Sequence, residues 1–364
     1  MTAKTLSILA AALLTVGSLS AADSIRLDSD SFGSPNVYNN VPIKTKFGER
    51  FADALGMTLT NKGVGGSVIN DAWIRMLTKP EHQPPHPSPH AMHVLNLGFN
   101  DMRLYGNQPL ADKEIATRLG AMIAFLRLDM VLDDNNRALT YTTGWKTAGP
   151  FRDFYGGHNR YTNTKGATAT YTFQGDNVTI GTFGLPQGQG GTMELAIDGT
   201  VRKTVSLDSR CIGGSGAGAA HGHVYVPVAV ELSGLGPGNH TLTVKNQSPK
   251  TIYIDYVGTR DSKNPKILVC GMTRMTTKGY TLGAPFNKGS DDAANRCNAA
   301  IKAMLAQEFD SDVIYVPQED FDAAQHVGQP DNIHPNEEGH RILANNLLKA
   351  CNAQPIRRRS STSD

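Results

Sequence analysis

Hydrophobic and polar positions change rhythm twice along this chain. Residues 24–31 alternate weakly, as a strand that ends at Phe32-Gly33, and a loop rich in Asn, Pro and Gly follows. Phe47, Phe51 and Leu55 then recur every fourth residue, which predicts a helix over about 43–55. Residues 57–61 predict a short strand that feeds the glycine turn Asn61 to Ser67, and 94–97 a buried strand ending in Gly98-Phe99-Asn100-Asp101. Ile115, Leu119, Met122, Ile123 and Leu126 mark the inner face of a helix over about 112–128.

From about residue 130 helical spacing gives way to short β segments over 168–173, 178–183, 193–197, 224–232, 242–244 and 252–257. Turns such as Gly175-Asp176, Asp198-Gly199 and Pro237-Gly238-Asn239 separate them. That rhythm predicts an antiparallel β-sandwich, with 213–218 as its most flexible loop. After Lys266 the first rhythm returns: strand 267–270, helix 291–307, strand 313–316, and a last helix carrying Ile342, Leu343 and Leu347. Pro335, placed in its first turn, predicts where that helix starts. Strand–helix alternation on both flanks predicts one parallel-sheet domain interrupted by a sandwich.

Composition narrows the picture. The 364 residues suffice for more than one domain, and 35 Lys+Arg against 33 Asp+Glu argue against a dedicated nucleic-acid surface. Residues 1–22 read as a secretory signal, with Lys4, an apolar stretch from Leu6 to Val16, and Ser20-Ala21-Ala22 as the cleavage site. That stretch is too short to span a bilayer, so no integral membrane segment is expected. The competing reading is a buried or amphipathic first segment of an unexported protein. Cys211, Cys270, Cys297 and Cys351 match no zinc spacing, and Cys270 reads as a buried thiol or a disulfide partner. Nothing in the sequence sets an oligomeric state.

The chemistry concentrates in turns. Asp331 and His334 lie three residues apart before a helix, close enough for the carboxylate to orient an imidazole base. The bland alternative is a cap and a surface histidine. The glycine turn at 61–67 can aim backbone N–H groups at an anion. Asn100-Asp101 directly follows a buried strand, at the sheet edge where α/β proteins bind ligands. His82, His86, His90 and His93 lie in a proline-rich loop with no Cys or Asp partner, so no metal is expected there. Asp101 is expected to hold its loop and His340 to pack within the last helix. Trp145, Tyr155 and Tyr161 are core aromatics in one reading and sugar-stacking rings in another.

Taken together, Asp-Ser-Phe-Gly after the first strand, Val-Gly-Gly-Ser after the second, Gly-Phe-Asn-Asp after the third and Asp-Asn-Ile-His after the last resemble the SGNH/GDSL hydrolase family. The resemblance covers about 24–130 and 263–351 and implies a three-layer, flavodoxin-like α/β fold. It implies Ser31 as nucleophile, His334 as base and Asp331 as its partner. The Ser31 and Gly66 N–H groups and the Asn100 side chain would form an oxyanion hole, with no cofactor and no metal. One block departs from the pattern: Ser29-Asp30-Ser31 stands where Gly-Asp-Ser is usual, and Asp28 where an apolar residue is usual. Ser29 and Ser18 therefore compete with Ser31 for the nucleophile's role.

The middle segment resembles a carbohydrate-binding jelly roll through the turns at 173–180, 196–199 and 238–242. The expected organisation is a signal at 1–22, a hydrolase domain at 23–130 and 263–353, an inserted sandwich at 131–262, and a disordered tail at 354–364. The function implied is removal of O-acyl, chiefly O-acetyl, groups from a polysaccharide or peptidoglycan, in a secreted or periplasmic protein. The alternative is a glycan-binding or phage or surface structural protein with a decayed hydrolase core. It would be virion-associated or cytoplasmic if 1–22 is no signal. A lipid esterase ranks lower, because no long apolar lid is present.

Overall fold

A computed structural model describes residues 24–35, 43–150, 154–186, 188–209, 225–260 and 265–352. The expected signal, Ser18, Cys211, the 213–218 loop and the 354–364 tail lie outside the described residues.

In chain order the first flank comprises β1 (Ser24–Ser29), α1 (Phe47–Leu55), β2 (Thr58–Asn61), α2 (Ile69–Thr78), β3 (Met92–Asn96), α3 (Phe99–Tyr105) and α4 (Ala111–Leu126). The middle follows with β4 (Met130–Asp133), β5 (Leu139–Tyr141), β6 (Lys146–Ala148), β7 (Asn159–Thr162), β8 (Thr168–Gln174), β9 (Val178–Gly184), β10 (Thr192–Ile197), β11 (Thr200–Ser206), β12 (Val226–Leu232), β13 (Asn239–Asn246), β14 (Ile252–Ile254) and β15 (Tyr256–Thr259). The last flank is β16 (Lys266–Cys270), α5 (Thr277–Thr281), α6 (Asp291–Glu308), β17 (Val313–Val316), α7 (Ala323–His326) and α8 (Glu337–Ala350).

The two flanks build one parallel sheet in the order β17-β16-β3-β1-β2. Every residue of β3 is buried, so both faces of the sheet are covered, as parallel sheets require. α1 packs on α8, and α4 on α2 and α6, which supplies the two helical layers. The strand order reverses direction at β1, and the crevice beyond the carboxyl ends of β1 and β3 is where such sheets hold ligands.

The middle strands pair antiparallel in three sheets, β11-β10-β13-β8-β5, β12-β9-β15-β4 and β14-β7-β6. Inward residues such as Ala169, Tyr171, Phe173, Val178, Ile180, Met193 and Leu195 share one apolar core. This part is tied to the flanks. Tyr256 belongs to the core of the parallel sheet, Asn70 Nδ2 donates to the Tyr225 carbonyl at 3.0 Å, and Ser209 Oγ donates to Glu114 at 2.7 Å.

Several elements differ from the sequence expectation. The helix expected over 43–55 begins at Phe47, because Lys46 keeps an extended backbone at its N-cap. The strand expected over 252–257 is two: β14 pairs with β7 and β15 with β4 and β9, and the chain changes sheet at buried Asp255. α2 falls where no element was assigned, and α3 where only the polar end of a strand was expected. Pro335 precedes the last helix instead of opening it; Asn336 is the N-cap, and its side chain accepts from Gly339 N–H. Cys270, Cys297 and Cys351 are free thiols, so the disulfide reading of Cys270 does not hold among the described residues. No helix among the described residues is long and apolar enough to cross a membrane.

Candidate active site

Ser31 sits two residues beyond the end of β1, on a turn fixed from several directions. Asp30 N–H donates to the Asn96 carbonyl at 3.3 Å, Phe32 N–H to Asp30 Oδ1 at 2.9 Å and Ser34 N–H to the Asp30 carbonyl at 3.0 Å. Ser29 Oγ donates to Asn96 Oδ1 at 3.1 Å and accepts from Gly33 N–H at 3.0 Å. Its hydroxyl is thus committed to the turn, and it is Ser31 that faces the imidazole. Buried Lys46 donates to the carbonyls of Ser31, at 3.3 Å, and Ser34.

The 331–334 turn brings the imidazole. Asp331 Oδ1 accepts the N–H groups of Ile333 at 2.9 Å and His334 at 3.0 Å, while its Oδ2 lies 2.8 Å from His334 Nδ1. On the other side of the ring, Nε2 lies 2.8 Å from Ser31 Oγ. With the ring proton on Nδ1, facing the carboxylate, Nε2 is left as an acceptor for the serine hydroxyl. Burial alone would raise the Asp331 carboxyl. The hydrogen bonds from the His334 ring and the two N–H groups outweigh it and hold Asp331 below the usual carboxylate range. The Phe32 ring meets the imidazole at 67° and 5.8 Å and limits its rotation.

The glycine turn extends the β2 side of the sheet: Lys62 N–H donates to the Leu27 carbonyl at 2.8 Å and Val64 N–H to the Ser29 carbonyl at 3.0 Å. Gly66 has φ of 75°, the left-handed region that glycine tolerates best. Asn100 lies in the first turn of α3, and its Nδ2 donates to the Ser67 carbonyl at 3.1 Å, leaving its second amide hydrogen. Among the described residues, no backbone carbonyl takes up the N–H of Ser31 or Gly66. Ser31, Gly63 to Gly66, Asn100, Phe286, Ile333 and His334 line a common cavity of about 470 Å³. The five residues singled out in the sequence, Ser31, Gly66, Asn100, Asp331 and His334, therefore stand together at the carboxyl edge of the sheet.

Neighbouring residues have other roles. Asp101 is fully buried; its Oδ2 accepts from Ile69 N–H at 2.9 Å and its Oδ1 faces Arg118 at 3.4 Å, so it anchors the start of α2. Burial raises its pKa to about 6, against the pull of Arg118. Asp30 is raised to about 7, chiefly by burial. His340 is buried, stacked at 13° on Phe47, and accepts from Phe47 N–H at 3.3 Å. Burial pushes the Cys270 thiol up to about 12, away from nucleophilic use.

The histidine loop scatters its partners: His86 to the Leu128 carbonyl, His90 to Ser24 and His93 to Ser88. A grouping the sequence reading missed lies elsewhere, where ligand atoms of Asp133, Asp134 and His158 fall within 4.8 Å of one another. Trp145 donates to the Thr168 carbonyl at 3.0 Å and packs on Tyr141. Tyr155 lines a larger cleft of about 1150 Å³ between α2 and β4, together with Arg75, Lys79, Gln83, Asp133 and Asn136. Lys46 and Arg103 were also missed. A basic residue one helical turn beyond Asn100 is the signal that points to Arg103.

Neither a protein-family model nor a curated protein matches this chain. Among solved structures it is similar to a family 35 carbohydrate-binding module from Cellvibrio japonicus, at 16% identity and a TM-score of 0.29, over 38% of this chain and 99% of that one. A family 35 module from Clostridium thermocellum gives 11% identity and a TM-score of 0.27, over 35% and 94%. The catalytic domain of a GH87 alpha-1,3-glucanase gives 12% identity and 0.29, over 44% of this chain and 34% of that one.

Proposed function

We propose that the chain is a serine ester hydrolase of the SGNH/GDSL type that removes O-acyl groups, chiefly acetyl, from a glycan. The observation that carries this reading is the continuous line from Asp331 Oδ2 through His334 to Ser31 Oγ, with 2.8 Å at each contact. A serine hydroxyl is a weak nucleophile until a base takes its proton, and this line supplies the base and its orienter. Ser31 Oγ attacks the ester carbonyl while its proton passes to His334 Nε2. The negative charge that develops on the carbonyl oxygen is met by the N–H groups of Ser31 and Gly66 and by the Asn100 amide. Losing one such donor typically costs ~10²–10³ in rate. The alcohol leaves with the proton from His334, and water, activated by the same imidazole, then releases the acyl group from Ser31. The glycan as carrier of the ester belongs to the proposal and follows from the jelly-roll turns of the middle segment.

A second reading, glycan binding without turnover, is favoured by one observation: the larger cleft lies beside Tyr155 and not at Ser31. Hydrolysis of p-nitrophenyl acetate, with and without a serine-directed fluorophosphonate followed by peptide mapping, separates the two. Turnover that is lost on labelling of Ser31, and absent in Ser31→Ala, is the expected result. Glycan affinity with no turnover and no label would replace the hydrolase by the binding protein.

A further inference from the structure

Among the described residues, the cavity before Ser31 carries one permanent charge. Its walls are backbone, the apolar side chains of Val64, Phe286 and Ile333, the polar Ser31, Ser34, Asn100 and His334, and Arg103; among the described residues no Asp or Glu lines it. Arg103 is only 4% exposed. Its Nη2 donates to the Leu282 carbonyl at 2.6 Å, and its Nε is buried with no hydrogen-bond partner. The guanidinium carbon lies 5.7 Å from the Phe99 ring centre and 5.8 Å from that of Phe286. These contacts fix the group's position but do not neutralise it. Arg118 nearby, equally buried, faces Asp101 at 3.4 Å, whereas Arg103 has no such carboxylate contact among the described residues. The carboxyl that acts on it is Asp30, which burial holds at about 7, so that near neutrality Asp30 supplies only part of a countercharge.

A desolvated guanidinium without a full partner is unfavourable, and it attracts an anion strongly because its hydration has already been given up. The cavity that Arg103 lines offers such a partner an approach. We propose that Arg103 reads an oxyanionic substituent on the substrate, a carboxylate or a sulfate carried by the sugar beside the acyl group. The preferred substrates are then acylated acidic glycans, uronates above all, and a neutral acyl sugar leaves the charge unmatched. This rests on the hydrolase reading and names its substrate class.

The test compares matched soluble esters: an acetylated methyl glucoside, the corresponding acetylated glucuronate, and the glucose 6-sulfate. At low salt the wild type should favour the anionic esters by about tenfold to a hundredfold in kcat/KM, carried mainly by KM. In Arg103→Met that ratio should fall to about one, and Arg103→Lys should restore part of it. Turnover of the neutral ester by the same variant, with an unchanged circular-dichroism spectrum, shows that its site is assembled. A stronger preference for sulfate than for carboxylate keeps the inference and identifies the anion. A wild type indifferent to charge, or a preference that survives in Arg103→Met, overturns it. Were no ester turned over at all, the hydrolase reading would fail. Calorimetric binding of glucuronic acid against glucose, in wild type and Arg103→Met, would then decide the role of Arg103 independently.

Discussion

Asp331→Asn isolates one property of the site, the proton on the imidazole, and leaves its geometry in place. Oδ1 of Asp331 receives two backbone N–H groups, from Ile333 at 2.9 Å and His334 at 3.0 Å. In the variant the amide oxygen must stay on those two donors, since an NH₂ group there would confront both of them. The amide nitrogen then takes the place of Oδ2, 2.8 Å from His334 Nδ1, and presents an N–H to it. Nδ1 becomes an acceptor, the ring proton moves to Nε2, and Nε2 now donates toward Ser31 Oγ. The base is lost while every contact keeps its length. A wrong tautomer of this kind costs ~10³–10⁴ in kcat, or ~4–5.5 kcal/mol of barrier. The number of hydrogen bonds is unchanged, so stability should move by no more than ~1 kcal/mol. Steady-state hydrolysis of p-nitrophenyl acetate, paired with thermal melts followed by circular dichroism, checks both parts. Adding His334→Ala to Asp331→Asn should reduce the rate no further than His334→Ala alone, because the two act as a unit. A folded Asp331→Asn protein retaining more than about a tenth of wild-type kcat would refute the assigned tautomer, and with it His334 as the base.

Two other substitutions probe the scaffold. His340 is held at about 3, below the ordinary 6.5, by burial first and then by the charges of Lys46 and Arg50. The unfolded chain therefore takes up that proton before the folded one does. Stability from this residue is complete above about 6.5 and declines toward pH 3, by about 1.4 kcal/mol per pH unit within the window. In urea titrations at pH 4.5 and 6, His340→Gln should lose that slope relative to wild type; identical slopes would dismiss the assignment. Asp30, raised to about 7, tilts the opposite way, its contribution complete below 3.8 and lost as pH rises through 7, but it is common to both proteins and cancels in the comparison. Lys46→Met removes the donor to the Ser31 and Ser34 carbonyls, so kcat should fall at least tenfold with KM little changed, and stability by ~1–3 kcal/mol. An unaltered kcat would show that the Ser31 turn holds itself.

Among helices, the sequence was legible where one face was apolar and the other was not; buried strands such as β3 and β16 showed instead as short, mostly apolar runs. The strand at 313–316 and the helix expected from 291 lie where their patterns put them, because α6 presents Ala294, Cys297, Ile301 and Leu305 on one stripe. α3 was invisible for the opposite reason: all of Phe99–Tyr105 is buried, including Asp101 and Arg103, so no polar face reveals the period. α2 follows the glycine turn at once, and the sequence reading assigned no element to its span. The contact of Asp331 with His334 spans three residues and can be inferred from local sequence. Ser31 and His334 lie 303 residues apart, and only the order of the four sheet-edge turns suggested that they meet. The roles of Lys46 and Arg103 depend on which carbonyls and which cavity they face. That is tertiary information no local pattern contains.

Ser29 shows how a departure from a motif can be absorbed by the fold. The resemblance to the SGNH/GDSL pattern implies a glycine at this position, where a side chain is expected to crowd the turn. Here the small residue required by the turn is Gly33. A Cβ on it would lie 2.7 Å from both Cβ and Oγ of Ser29, closer than real side-chain contacts come. The space given up at Gly33 is the space Ser29 fills. Its hydroxyl uses that position to bind Gly33 N–H and Asn96 Oδ1, joining the ends of β1 and β3 beneath the turn. The pair is therefore coupled: serine at 29 requires glycine at 33, and together they hold Asp30 between two strand ends. With its hydroxyl spent on the turn, Ser29 does not compete for the imidazole. Among the described residues of this block, Ser31 is the serine turned toward His334.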